Sequence, residues 1–185
     1  MIETEKKYRL DNLRREEVIS RLKESGAADE GVQFEENVIY GGGILDEKNA
    51  VLRVRITESR CVLTYKRRLA SESSYKEQLE YESEFSDEKS LREILYALGF
   101  KPRLIYEKKR YTWKLRNVEV VLDELPFGEY MEIEGSITDI AEAEMLLDIT
   151  GLEAENETYP RLTSRLGTVV NGVCESRFAR KDQSL

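Results

Sequence analysis

The sequence contains no histidine and only two cysteines, Cys61 and Cys174, among its 185 residues. Without an imidazole, a histidine-based triad, a histidine general base and the usual zinc centres are excluded. The two thiols stand far apart with no CxxC spacing, which points to free thiols in a reducing cytoplasm. Only three prolines occur (Pro102, Pro126, Pro160), each alone at an apparent boundary, so there is no proline-rich linker. No stretch approaches the ~20 apolar residues of a spanning helix. The opening MIETEKKYRL is charged from position 3, so neither a membrane partner nor a secretory signal is expected. A basic excess is missing too: 29 Lys and Arg face 37 Asp and Glu, a net charge of −8. A dedicated duplex nucleic-acid binder wants the opposite balance. Catalysis, if present, must run on carboxylates, amines and guanidiniums with the help of a metal.

What the chain has is charge. Charged residues make up 36% of it, against about 25% in ordinary globular chains. The length suits one domain, placed at residues 1–170, with 171–185 as a tail because RFARKDQSL reads as a frayed basic end. Period-two alternation predicts strands near 2–9, 33–40, 50–57, 60–68, 76–85, 103–116, 118–124 and 129–135. Helical spacing marks 14–25, 87–98 and 138–150, with Asp87 and Thr138 as N-cap candidates and a fourth helix opening near Pro160.

The alternation also says which residues share a face. Arg53 and Arg55 oppose Leu52 and Val54; Glu80 and Glu82 oppose Leu79 and Tyr81; Lys108 and Arg110 oppose Tyr111 and Trp113; Glu132 and Glu134 oppose Met131 and Ile133. Glu3, Glu5 and Lys7, Lys66 and Asp123 lie on the same ionic side of their own strands. An open sheet with a solvated charged face is one solution. The other is a closed eight-stranded antiparallel β-barrel of the α+β class, charged inside, with helices packed on its apolar outside. A solvated face usually mixes signs within a strand, because opposite charges pair across strands. Here whole strands carry one sign, which favours the closed form. Histidine-free carboxylate clusters suit Mg²⁺ or Mn²⁺. Arg and Lys rows suit phosphate oxygens.

Glu3-Thr4-Glu5-Lys6-Lys7 resembles the ExExK strand of the CYTH superfamily, the triphosphate tunnel metalloenzymes. The resemblance continues in order through LRVR, LTYKR, QLEYESEF, YEKKR, LDELPFGEYMEIEG and Tyr159-Pro-Arg-Leu162. It implies a tunnel that holds a triphosphate lengthwise. By that resemblance Glu3, Glu5, Asp123, Glu132 and Glu134 are metal ligands. Lys7, Arg53, Arg55, Lys66, Lys108 and Arg110 grip the phosphates, and Glu80 and Glu82, with Lys66, form the catalytic group near the attacking water.

The implied reaction is metal-dependent hydrolysis of an inorganic or organic triphosphate, such as thiamine triphosphate. A class IV adenylyl cyclase uses the same frame if a purine occupies one mouth, with Phe34, Tyr40 and Tyr159 as aromatic candidates. A non-catalytic nucleotide- or polyphosphate-binding module is the third reading. The partner is a small triphosphate or nucleotide in the cytoplasm, and a homodimer is compatible with it. Because like charges cluster, neutralising Glu5 or Glu132 is expected to stop turnover while leaving the fold intact or more stable.

Overall fold

Residues that alternate polar and apolar put one set on each face of a pleated strand, so a sheet built from them is two-faced by construction. The computed structural model describes residues 2–68 and 76–180, without the side chains of residues 2, 3, 68 and 76–78. In chain order the elements are β1 (Ile2–Leu10), α1 (Asn12–Glu24), β2 (Ala28–Gly41), α2 (Ile44–Glu47), β3 (Ala50–Ile56), β4 (Cys61–Arg68) and β5 (Lys76–Phe85). They continue with α3 (Glu88–Ala97), β6 (Lys101–Leu115), β7 (Val118–Leu125), β8 (Gly128–Glu134), α4 (Ile137–Leu146), α5 (Tyr159–Leu166), β9 (Thr168–Val170) and β10 (Val173–Ser176).

Each strand and helix expected from the sequence is present, with shifted ends. β2 starts at Ala28 rather than near 33, because Gly31 takes φ +95° and absorbs a register shift against β6. α4 is capped by Ser136, whose hydroxyl accepts from the Asp139 N–H, and not by Thr138. α1, α3 and α5 open in the same way on Asp11, Asp87 and Thr158. The segment read as a tail, 171–185, contains β10.

The sheet order is β2-β3-β4-β5-β1-β8-β7-β6-β10-β9, and β2 also pairs with β6 from Ala28 to Gly41. All pairings are antiparallel except β10 on β6. The result is a β-rich antiparallel sheet with helices on its outer face. Two apolar clusters cover that face. Val18 and Leu22 of α1, with Ile140 and Ala143 of α4, pack on Trp113, Val120, Leu122, Met131 and Ile133. Leu91 and Leu95 of α3 pack with Leu45 on Val38, Tyr40, Leu52 and Val54. Each buried side chain of this size contributes roughly 1.5–3 kcal/mol.

A third cluster was not foreseen. Ile39, Leu104, Tyr106, Leu125 and Tyr130 meet Tyr159 and Leu162 of α5 on the inner face. α5 therefore packs its apolar stripe against one end of the otherwise ionic side. Both cysteines are free, and no helix of the described residues is long and apolar enough to cross a membrane.

Candidate active site

Seven strands point charged groups at one cavity of about 280 Å³, and the start of α5 adds Thr158, Tyr159 and Pro160 to its wall. Its walls include Glu5 and Lys7 (β1), Arg53 and Arg55 (β3), Lys66 (β4), Glu80 and Glu82 (β5), Lys108 and Arg110 (β6), and Glu132 and Glu134 (β8). The structure thus brings together the sequence-derived set, apart from two members. Asp123 lies fully buried behind the wall, and the side chain of Glu3 falls outside the described residues. Glu119 of β7, which the sequence reading passed over, also lines the cavity.

The cations are held by carboxylates. Arg53 Nη2 donates to Thr64 Oγ1 at 3.2 Å and lies 3.5 Å from Glu82 and 4.0 Å from Glu80. Lys66 is ion-paired with Glu80. Lys7 Nζ lies 3.2 Å from Glu132, donates to the Glu157 carbonyl at 3.3 Å, and sits 3.7 Å from the centre of the Tyr159 ring. Arg110 donates to Asp123 from Nε at 2.8 Å and from Nη2 at 2.6 Å, and reaches Glu132 at 2.7 Å.

Asp123 is the hub of this layer. It accepts from Arg110, from Lys108 at 3.2 Å and from the Tyr159 hydroxyl at 2.9 Å. Burial raises its carboxyl, but Arg110 and Lys108 outweigh burial and hold it far below the usual carboxylate range. A cation could be ligated by Asp123 only after one of these donors moved away. Sequence reasoning missed Glu35, 1% exposed, which pairs with Arg55 and Lys108 at 3.4 Å each. Burial opposes its charge, yet Lys108 and Arg55 keep it ionised down to about 2. Burial, followed by Arg110, pulls the Lys108 ammonium down to about 8. The parity of β2 was the available signal, since Glu35 alternates with the buried, outward Val38 and Tyr40.

The acidic residues divide into two kinds. Glu132 is ion-paired with Lys7 and Arg110, and these hold its carboxyl well below normal against the effect of burial. These ion pairs predict that neutralising Glu132 costs stability, where clustering of like charge alone predicts none or a gain. Glu134 behaves oppositely: burial raises it, and Glu119 and Glu5 raise it further. Glu5 and Glu119 are its direct register partners on β1 and β7. An all-oxygen donor set strung across neighbouring strands, one member already crowded by like charge, fits a hard divalent cation. Among the described residues no three acidic groups are yet gathered about a single point, so ligation would need side-chain rotation.

Of the aromatic residues considered for a base pocket, only Tyr159 lines the cavity. Tyr40 is buried in the outer core beneath α3, and Phe34 pairs with Phe178. Arg161 and Arg165 of α5 are exposed, Arg165 pairing with Glu157 at 2.6 Å.

The CYTH domain model matches residues 1–161, which contain each of the cavity-lining residues named above. The chain belongs to the CYTH family. A relative from Methanocaldococcus jannaschii, named "Putative adenylate cyclase MJ0240", is 30% identical over 151 residues, covering 80% of this chain and 85% of that protein. The PH1012 protein of Pyrococcus horikoshii OT3 superposes with a TM-score of 0.75 at 25% identity, over 86% of this chain and 98% of that one. HpAC1 from Hippeastrum, an adenylyl cyclase homologue described as having a dominant triphosphatase activity, shares the CYTH fold with a TM-score of 0.65. It is 18% identical and covers 91% of this chain and 98% of its own. The proteins this chain resembles thus include one named for a cyclase and one whose description names a triphosphatase activity.

Proposed function

We propose that this CYTH chain binds a triphosphate lengthwise along the cavity and hydrolyses its terminal phosphate. One observation carries the reading: Lys7, Arg53, Arg55, Lys66, Lys108 and Arg110 converge on the same small cavity as Glu5, Glu80, Glu82, Glu132 and Glu134. Phosphate binding alone has no use for those carboxylates. The pairing of β2 with β6 supports a closed eight-stranded tunnel as the frame, since it gives each of β1–β8 a neighbour on both sides.

Glu5, Glu132 and Glu134, with Glu3 and after rearrangement Asp123, would hold Mg²⁺ or Mn²⁺, which supplies charge neutralisation and polarisation of phosphate oxygens when bound. The guanidiniums of Arg53, Arg55 and Arg110 bind the phosphate oxygens and stabilise charge gathering on the leaving diphosphate. Glu80, positioned by Lys66, orients a water and takes its proton while the water oxygen bonds to the terminal phosphorus. The bond from that phosphorus to its bridging oxygen breaks, and orthophosphate and a diphosphate leave. Glu82, half-exposed beside Arg53, completes the group at the same wall.

A cyclase reading draws on the M. jannaschii relative. It needs a flat apolar site for a purine, and the placements of Phe34 and Tyr40 away from the cavity favour hydrolysis. The test offers tripolyphosphate, thiamine triphosphate and ATP separately with Mg²⁺ or Mn²⁺, and quantifies orthophosphate, pyrophosphate and cyclic AMP. Orthophosphate without cyclic AMP, lost on chelation, is the expected result. Cyclic AMP with matching pyrophosphate would replace hydrolase by cyclase, and binding without product would leave a binding module.

A further inference from the structure

Antiparallel strands avoid setting like charges directly opposite each other, because such side chains stand about 5 Å apart and repel. Glu36 of β2 and Glu107 of β6 are opposed in just this way. They are the chain neighbours of Glu35 and Lys108, which face each other one step along the same register and form an ion pair on the cavity side. Glu36 and Glu107 alternate to the outer side of the sheet, so the repelling pair stands directly behind part of the site.

Arg177, just past β10, resolves the conflict. Its Nη1 lies 2.6 Å from Glu36 and 2.8 Å from Glu107, and its Nε lies 2.5 Å from Glu175. The N–H of Phe178 donates to the second oxygen of Glu107 at 2.9 Å. The Phe178 ring lies 6.4 Å from Phe34 on β2, and Lys109 Nζ on β6 sits 4.9 Å from that ring. Arg92 of α3 takes the other oxygen of Glu36 at 3.2 Å. The pairing of β10 with Leu104–Tyr106 of β6 delivers Arg177 to this point. β9, β10 and Arg177 all lie beyond the residues that the CYTH model matches.

We propose that Arg177 is a positioning residue that clamps β2 to β6 from outside and thereby holds Glu35 and Lys108 in place on the cavity wall. One guanidinium bridges both members of the opposed pair, and a fork of fixed geometry does so where a point charge would not. Strand separation at this step would part Lys108, which stays on β6 beside its β7 neighbour Asp123, from Glu35 on β2. The proposal depends on the triphosphate reading for its binding readout alone.

The experiment compares wild type, Arg177→Gln and Arg177→Gln/Glu107→Gln by amide hydrogen exchange and by tripolyphosphate titration. In Arg177→Gln, exchange across 35–37 and 106–108 should speed up by about tenfold, and the tripolyphosphate Kd should weaken by about 3–10-fold through the displaced Lys108. Adding Glu107→Gln removes the repulsion and should restore most of the protection and affinity. Unchanged exchange in Arg177→Gln would overturn the proposal. So would loosening that Glu107→Gln fails to reverse, since Arg177 would then anchor only its own segment. If Arg177→Gln does not fold, recovery of folded protein by Glu107→Gln supports the clamp and failure to recover overturns it. If wild type does not bind tripolyphosphate but the exchange pattern holds, the clamp stands and the triphosphate reading fails.

Discussion

Arg110 grips Asp123 with two nitrogens, at 2.8 and 2.6 Å, and holds Glu132 at 2.7 Å with the second of them. One guanidinium thus joins a fully buried carboxylate on β7 to a cavity-lining one on β8. Removing it leaves Asp123 in the interior with, among the described residues, Lys108 and the Tyr159 hydroxyl as its side-chain donors. Arg110→Ala should lower the free energy of unfolding by about 3–5 kcal/mol, as expected for breaking a buried pair. Urea denaturation at neutral pH checks this, and an unchanged midpoint would show that the layer is not cooperative.

Acid should weaken the fold through Glu35. Its carboxyl is held at about 2 in the folded chain, against 4.5 as the ordinary value. A depressed carboxylate stabilises the fold fully above about pH 4.5 and loses that contribution as pH falls toward 2. The contribution is on the order of 3 kcal/mol, from ~1.4 kcal/mol per pK unit. Denaturant midpoints measured from pH 6 to pH 2 should fall across this window. Glu35→Gln should be less stable at neutral pH and show a shallower fall.

Glu132 and Glu134 should respond oppositely to the same substitution. Glu132→Gln removes the partner of Lys7 and should cost about 1–3 kcal/mol. Glu134→Gln relieves repulsion from Glu119 and Glu5 and should leave the denaturation midpoint unchanged or slightly raised. Both variants should lose metal-dependent turnover. Near-wild-type turnover in either would remove that residue from the metal set.

Arg53 is 9% exposed and faces the cavity from the middle of β3. Arg53→Ala should weaken tripolyphosphate binding by about 2–5 kcal/mol, the range for a buried charge-assisted contact. Calorimetric titration in the presence of Mg²⁺ measures it. An unchanged Kd would place the phosphates elsewhere in the cavity.

Much of this was legible in the chain because strand parity is a rigid rule. Once Arg53 and Arg55, Lys108 and Arg110, or Glu132 and Glu134 are assigned to one face, pleating brings them to the same cavity without further information. The same parity carried Tyr106 and Tyr130 inward, but the ionic pattern drew attention away from apolar residues on the charged side. Glu35 was hidden for a related reason: it sits beside Glu36, and two adjacent glutamates look like surface until the strand assigns them to opposite faces. Arg177 gave no periodic signal at all. Its role depends on β10 lying against β6, a parallel pairing between segments far apart in sequence, and on carboxylates from three strands.

The sheet order places β1 between β5 and β8, and that has a consequence for how the protein is made. β1 precedes both neighbours in the chain: Ile2 through Glu5 pair with Lys76 through Leu79, but Glu5 through Leu10 must wait for Glu129 through Glu134. Contacts of such long sequence separation make folding slow and put them late in the process. Glu5 and Lys7 meet Glu132 and Glu134 only at that step. The carboxylates of β1 and β8 are therefore the part of the cavity assembled last, together with the finished sheet.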